Sequence, residues 1–91
     1  MPDKVHCAHI LVKSESEAKA VLERLKKGDK FSAVAKAVSR CPSGKRGGDL
    51  GPFTRGKMVK EFENAAFSLS KGETSAIVKT QFGCHIIKRL E

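Results

Sequence analysis

Tryptophan and tyrosine are missing from this sequence, and its aromatic side chains are five phenylalanines. The core must therefore be mostly aliphatic, with a few Phe anchors. A surface that reads nucleic acid through interleaved base stacking is not provided for, because Phe53 is the only aromatic between Phe31 and Phe62. Cysteine is equally sparse. Cys7, Cys41 and Cys84 are odd in number, widely spaced and never arranged as CxxC. That excludes a complete intramolecular disulfide framework and leaves free thiols, which suits a reducing compartment. "HCAH" (6–9) and "CH" (84–85) lack the paired spacing that structural zinc requires, so no metal is expected. Nor does any apolar run approach the roughly 18 residues of a membrane span. The opening "MPDKVHC" lacks the apolar stretch of a secretory signal. The expectation is a soluble, cytoplasmic, monomeric domain.

Acidic residues are in short supply against basic ones, ten to eighteen, for a net charge of +8. The excess is uneven. From Lys36 to Lys60 there are seven cations and one anion, Asp49, whereas the first 35 residues are nearer balance. Such a lobe draws anions through a screened, salt-dependent field, and any nucleic-acid contact is expected to be weak and salt-sensitive. With 91 residues, 40% of them apolar and 31% charged, the chain has enough apolar surface for one small folded domain.

The patterning that is present reads as alternating element types. Residues 4–12, "KVHCAHILV", form a β-branched apolar run expected to be a strand, with Val5, Cys7, His9 and Leu11 on one face. Ser14 and Glu17 make a capping box, and Ala18, Val21, Leu22 and Leu25 follow at helical spacing up to Gly28. Asp29 is placed to cap a second helix carrying Phe31, Val34, Ala35 and Val38, which must stop before Pro42. The next stretch, "CPSGKRGGDLG" (41–51), is built from turn formers and cations and reads as a long loop in which Gly47 and Gly48 turn the chain. A short extended piece "LGPF" follows, which Pro52 keeps out of a sheet centre. A third helix is predicted from about Val59 with Phe62, Ala65, Ala66 and Leu69 on one face, ended by Gly72. "SAIVK" (75–79) and "CHIIKRL" (84–90) are two strands joined by the four-residue loop "TQFG". The order is β–α–α–β–α–β–β, an α+β domain with a small antiparallel sheet.

Residues able to do chemistry are few. On residue type, Cys41 with His9 or His85 as base would make a hydrolytic pair. Against it, no helix is predicted to begin just after Cys41, and no oxyanion hole is evident. The Gly-rich stretch lacks the P-loop pattern.

Four blocks in order and spacing, "CAHILVK" (7–13), "CPSGKRGGDLG" (41–51), "GKMVKEFENAAF" (56–67) and "TQFGCHIIKRL" (80–90), resemble the parvulin family of peptidyl-prolyl cis/trans isomerases. The resemblance runs from Lys4 to Leu90, as one domain over residues 1–91, and implies the family's four-stranded antiparallel sheet surrounded by helices. It implies no cofactor. Its site would comprise a proline cup of Leu50, Met58 and Phe62 with Phe82 at the edge, and a polar cluster of His9, His85 and Cys41 with Thr80 hydrogen-bonded among them. Ser43, Asp49 and Gln81 would lie nearby. Some parvulins select phosphoserine- or phosphothreonine-proline through an Arg pair inserted after the first strand. Here "SESE" follows Lys13 instead, which disfavours phosphate there. Lys13, Lys45 and Arg46 are the remaining candidate anion contacts, giving mild tolerance of acidic residues before proline. Cys84 stands where larger residues are common and is expected to be a small core residue. The implied function is isomerisation of Xaa–Pro bonds in peptides and in unfolded or partly folded proteins, favouring apolar residues before proline. The alternatives are a proline-peptide binding module with little turnover and a phosphoSer/Thr-Pro-directed isomerase.

Overall fold

The computed structural model describes residues 4–91. The elements are strand β1 (Lys4–Val12), helices α1 (Glu15–Lys26) and α2 (Phe31–Val38), a 3-10 turn (Pro42–Arg46), strand β2 (Asp49–Thr54), helix α3 (Lys60–Ser68), and strands β3 (Val78–Thr80) and β4 (Gly83–Arg89). All strand pairs are antiparallel, in the order β2-β1-β4-β3, so the first and last strands lie side by side at the centre.

The capping box starts α1 as expected: the Glu17 amide donates to Ser14 Oγ at 3.3 Å. Acidic residues in the first turn and basic ones in the last complement the helix dipole. Asp29 does not cap α2. Lys30 takes that position with no side-chain cap, while the Asp29 carboxylate accepts from Arg24 Nε at 3.0 Å and so ties the turn back to α1. The ion pair and the cap compete for one carboxylate, and the nearby guanidinium wins. Helix α3 ends at Ser68, earlier than Gly72, which instead turns the chain afterwards.

Two further readings of the C-terminal half need correction. Regular pairing in β3 covers only Val78–Thr80, with an isolated bridge between Thr74 and Lys88 upstream. The hairpin turn is two residues, Gln81 and Phe82, because Thr80 pairs directly with Gly83. Pro52 does sit on an edge strand, where its missing N–H leaves no gap in a ladder.

The sheet separates two apolar clusters, and strand alternation decides which side chain joins which. On one face Ala8, Ile10 and Val12 of β1 and Cys84 and Ile86 of β4 pack against α1 and α2 through Ala18, Val21, Phe31, Val34 and Ala35. On the other, Val5, Cys7, Phe53 and Ile87 pack against Phe62 and Ala66 of α3. Ile10, Ile86 and Ile87 are completely buried, each worth about 1.5–3 kcal/mol of transfer free energy. Burial pushes the Cys7 thiol up to about 11, which makes it an inert core residue. Cys84 is a small core residue as expected.

Candidate active site

The 41–51 stretch is more ordered than its composition suggests. A 3-10 turn begins directly after Cys41, with Pro42 as its first residue, contrary to the expectation that nothing helical would start there. Both ends of the stretch are fastened to β1. The Arg40 amide donates to Leu11 O at 2.8 Å, and the Leu11 amide donates to Ser39 Oγ at 3.1 Å. At the exit, the His9 amide donates to Gly48 O at 2.9 Å. Gly48 is therefore more than a turn former: it has φ +84°, and a Cβ there would come within 2.3 Å of His9 O. Only glycine lets the loop lie this close to the strand.

Just beyond, β2 carries a bulge. His6 pairs with Pro52 and Ala8 with Asp49, so Leu50 and Gly51 together stand opposite Cys7. Gly51 takes φ +73°, and its amide donates to Asp49 Oδ1 at 2.8 Å. The bulge brings Leu50 to the α3 face of the sheet, where it packs with Met58 and Phe62.

Leu50, Met58 and Phe62 thereby line a depression of about 420 Å³, together with His9, His85, Cys41 and the exposed Phe82. The four cup residues that the parvulin resemblance implies thus line one depression, and Leu11, Arg40, Pro42, Lys57 and Val59 complete its wall. None of these five was assigned to the site from the sequence. Leu11 shares a strand face with His9, and Arg40 and Lys57 adjoin Cys41 and Met58, so their proximity was legible in principle.

Beneath the cup lies a hydrogen-bonded chain of side chains. His9 Nδ1 and His85 Nδ1 are 3.0 Å apart, and Thr80 Oγ1 is 2.7 Å from His85 Nε2. The Phe82 amide donates to the same Thr80 oxygen at 3.1 Å. Between two imidazole nitrogens one must donate and the other accept, so the pair holds complementary tautomers. The rings stack at 5.2 Å, and Phe62 meets both edge-on at 5.4 and 5.3 Å. Both histidines are buried. Burial, then the neighbouring His85, holds His9 down to about 4, and burial likewise lowers His85. At neutral pH the floor of the cup is uncharged.

Cys41 is half-buried in the wall, and its Sγ accepts from the hydroxyl of buried Ser43 at 3.2 Å. Gln81 is exposed at the tip of the β3–β4 turn beside Phe82, outside the lining. Asp49 lies elsewhere. Its Oδ1 is 2.6 Å from His6 Nε2, and it borders a separate depression of about 450 Å³ on the α2 side with Lys30, Arg46 and Lys88. The single-residue alternation of β1 puts His6 on the opposite face from His9 and carries Asp49 with it. Lys13, Lys45 and Arg46 are exposed, and none lines the cup.

Residues 9–91 match the family of PPIC-type PPIase (rotamase) domains. The chain is 56% identical over 86 residues to the foldase protein PrsA of Geobacillus kaustophilus, covering 93% of this chain and 31% of that protein. It spans about a third of the length of the curated relatives it matches. The crystal structure of PrsA from Bacillus subtilis superposes with a TM-score of 0.95 at 48% identity, over 98% of this chain and 35% of that one. The solution structure of NmPin, the parvulin of Nitrosopumilus maritimus, superposes with a TM-score of 0.89 at 51% identity, over 100% of this chain and 99% of that one. A four-stranded antiparallel sheet, an apolar cup over paired histidines and a family match across nine-tenths of the sequence lead to one assignment: the chain belongs to the parvulins, the PPIC-type peptidyl-prolyl cis/trans isomerases.

Proposed function

We propose that this domain accelerates rotation about Xaa–Pro bonds in peptides and in unfolded or partly folded proteins, with a preference for apolar residues before proline. Rotation faces a barrier of about 18–20 kcal/mol because the C–N bond has double-bond character. No bond is made or broken, so the domain has only to bind the twisted amide better than either planar form. Lowering the barrier by about 5–7 kcal/mol gives an acceleration of about 10⁴- to 10⁵-fold.

The residues divide this task. Leu50, Met58 and Phe62 grip the proline ring, and Phe82 closes the rim. Twisting removes the amide's resonance and lowers the polarity of its carbonyl, a change that an apolar, uncharged site favours. The neutral His9–His85 pair provides such a floor, and Thr80 fixes the orientation of His85. Cys41, held by Ser43, presents sulfur beside the carbonyl. Leu11 and Phe82 supply apolar surface for the residue before proline. The word foldase in the name of the PrsA relatives supports substrates that are folding chains.

The observation that carries this reading is the apolar cup lying over two uncharged, mutually hydrogen-bonded histidines. NMR exchange spectroscopy on two otherwise identical peptides, Leu–Pro and phosphoSer–Pro, tests it. Enhanced exchange of the Leu–Pro peptide is expected. Enhancement of the phosphopeptide alone would replace the reading with a phosphate-directed isomerase. Binding without enhancement of either would leave a proline-peptide binding module.

A further inference from the structure

The cup is apolar, yet two cations stand in its wall. Arg40, next in sequence to Cys41, and Lys57, next to Met58, both line it, and both side chains are exposed. No carboxylate of the described residues lines the cup. Among the described residues neither cation is in an ion pair, whereas nearby Arg55 is taken by Glu63 at 3.5 Å and lies over the Phe67 ring. The single anion of the basic lobe, Asp49, is bound to His6 and borders the other depression. Among the described residues, the cations at the cup therefore have no ion-pair partner.

Their roots are firmly held. The Arg40 amide is bonded to Leu11 O, and Ser39 Oγ accepts from the Cys41 amide at 3.4 Å. The Gly56 amide, just before Lys57, is bonded to the Glu63 carboxylate. Backbone anchorage with free side-chain tips keeps positive charge near the cup at little ordering cost until a partner arrives.

We infer that Arg40 and Lys57 form a carboxylate-selecting rim, and that favoured substrates carry Asp or Glu flanking the Xaa–Pro dipeptide. This rests on the isomerase reading and names its substrate class. Apolar contacts hold the dipeptide itself, and the rim reads the residues to either side. It also moves the anion contact away from Lys13, Lys45 and Arg46, which lie outside the cup.

The test uses a neutral parent peptide containing Leu–Pro and variants with Glu or Lys placed in turn at the second residue before proline and the first and second after it. Affinity from chemical-shift titration and exchange enhancement are both recorded. At low ionic strength at least one Glu peptide should bind about three- to tenfold more tightly than its Lys counterpart, as expected for two partly exposed ion pairs. The ratio should shrink towards unity at about 0.5 M salt. The double variant R40Q/K57Q should abolish the ratio, while K45Q/R46Q should keep it. Equal binding of Glu and Lys peptides, or a ratio that survives R40Q/K57Q, would overturn the inference. Because affinity is read separately, lack of exchange on the parent peptide would sink the isomerase reading while the Glu-to-Lys ratio still decided the rim.

Discussion

His6 and His9 lie three residues apart on one strand and live in different physical worlds. His9 is almost fully buried, stacked on His85 and edge-on to Phe62, and its imidazole is held neutral down to about pH 4. His6 is part-exposed on the opposite face and is hydrogen-bonded to the carboxylate of Asp49. One side chain helps to define the uncharged floor of the cup, and the other ties β1 to the start of β2. The difference teaches that the residue type does not assign the role. Strand parity does, by choosing whether the imidazole meets an apolar helix or an exposed acid.

The comparison can be broken most severely at His9. His9→Ala removes the hydrogen bond to His85, leaves a buried nitrogen without its partner and opens a cavity under Phe62. Destabilisation of about 2–4 kcal/mol is expected. Isomerase activity should fall in parallel, because the same contacts shape the site. Urea unfolding combined with peptide exchange checks this, and a variant that is fully stable yet inactive would show that His9 acts on substrate rather than on the site's shape.

Acid should weaken the buried face next, through His9. The His9 value is lowered on folding from 6.5 to about 4. Between those limits the unfolded chain binds a proton that the folded chain refuses, so stability falls as pH drops through this window. The loss amounts to about 3 kcal/mol, complete near pH 4. His85 shifts in the same direction and adds to the slope. Denaturant midpoints from pH 7.5 to 4 should decline in the native protein and less steeply in His9→Phe. A flat native profile would mean that the pair is charged in the folded state.

The smallest effect belongs to the other face. Asp49 is lowered chiefly by the His6 hydrogen bond and then by that of the Gly51 amide. A lowered carboxylate stabilises above its unfolded value, and that contribution is lost as pH falls through the folded value. Its side chain is 43% exposed, so solvent screening leaves His6→Gln costing less than about 1 kcal/mol at neutral pH. Thermal unfolding at low and high salt would show it. A loss as large as that of His9→Ala would mean that the His6–Asp49 link governs the bulge beneath Leu50.

Much of the architecture was legible because local chemistry and tertiary demand agree. Ser14 and Glu17 mark a helix start whatever surrounds them, the apolar spacing of α1, α2 and α3 fixes their buried faces, and Pro52 belongs on an edge. Cys84 and His85, adjacent in sequence, had to face opposite ways. The cup residues Leu50, Met58 and Phe62 were reached through the parvulin resemblance. Spacing alone would have made Phe62 and Met58 ordinary core.

What stayed hidden depends on long-range choices. Asp29 had a cap to make and an arginine to meet, and nothing local ranks the two. Asp49 follows two glycines and precedes a bulge, so its direction is set by how β2 registers against β1. Gly48 looked like one more turn former until the loop was laid against His9. By itself, the sequence determined most of the elements, the two buried faces and the residue types of the site, since capping, periodicity and φ restriction act over a few bonds. The tertiary structure decided that residues 76 apart share one hydrogen bond at the centre of the sheet and that Arg40 and Lys57 flank the cup. Pairing the first strand with the last brings the two histidines together, and no interaction between near neighbours encodes that contact.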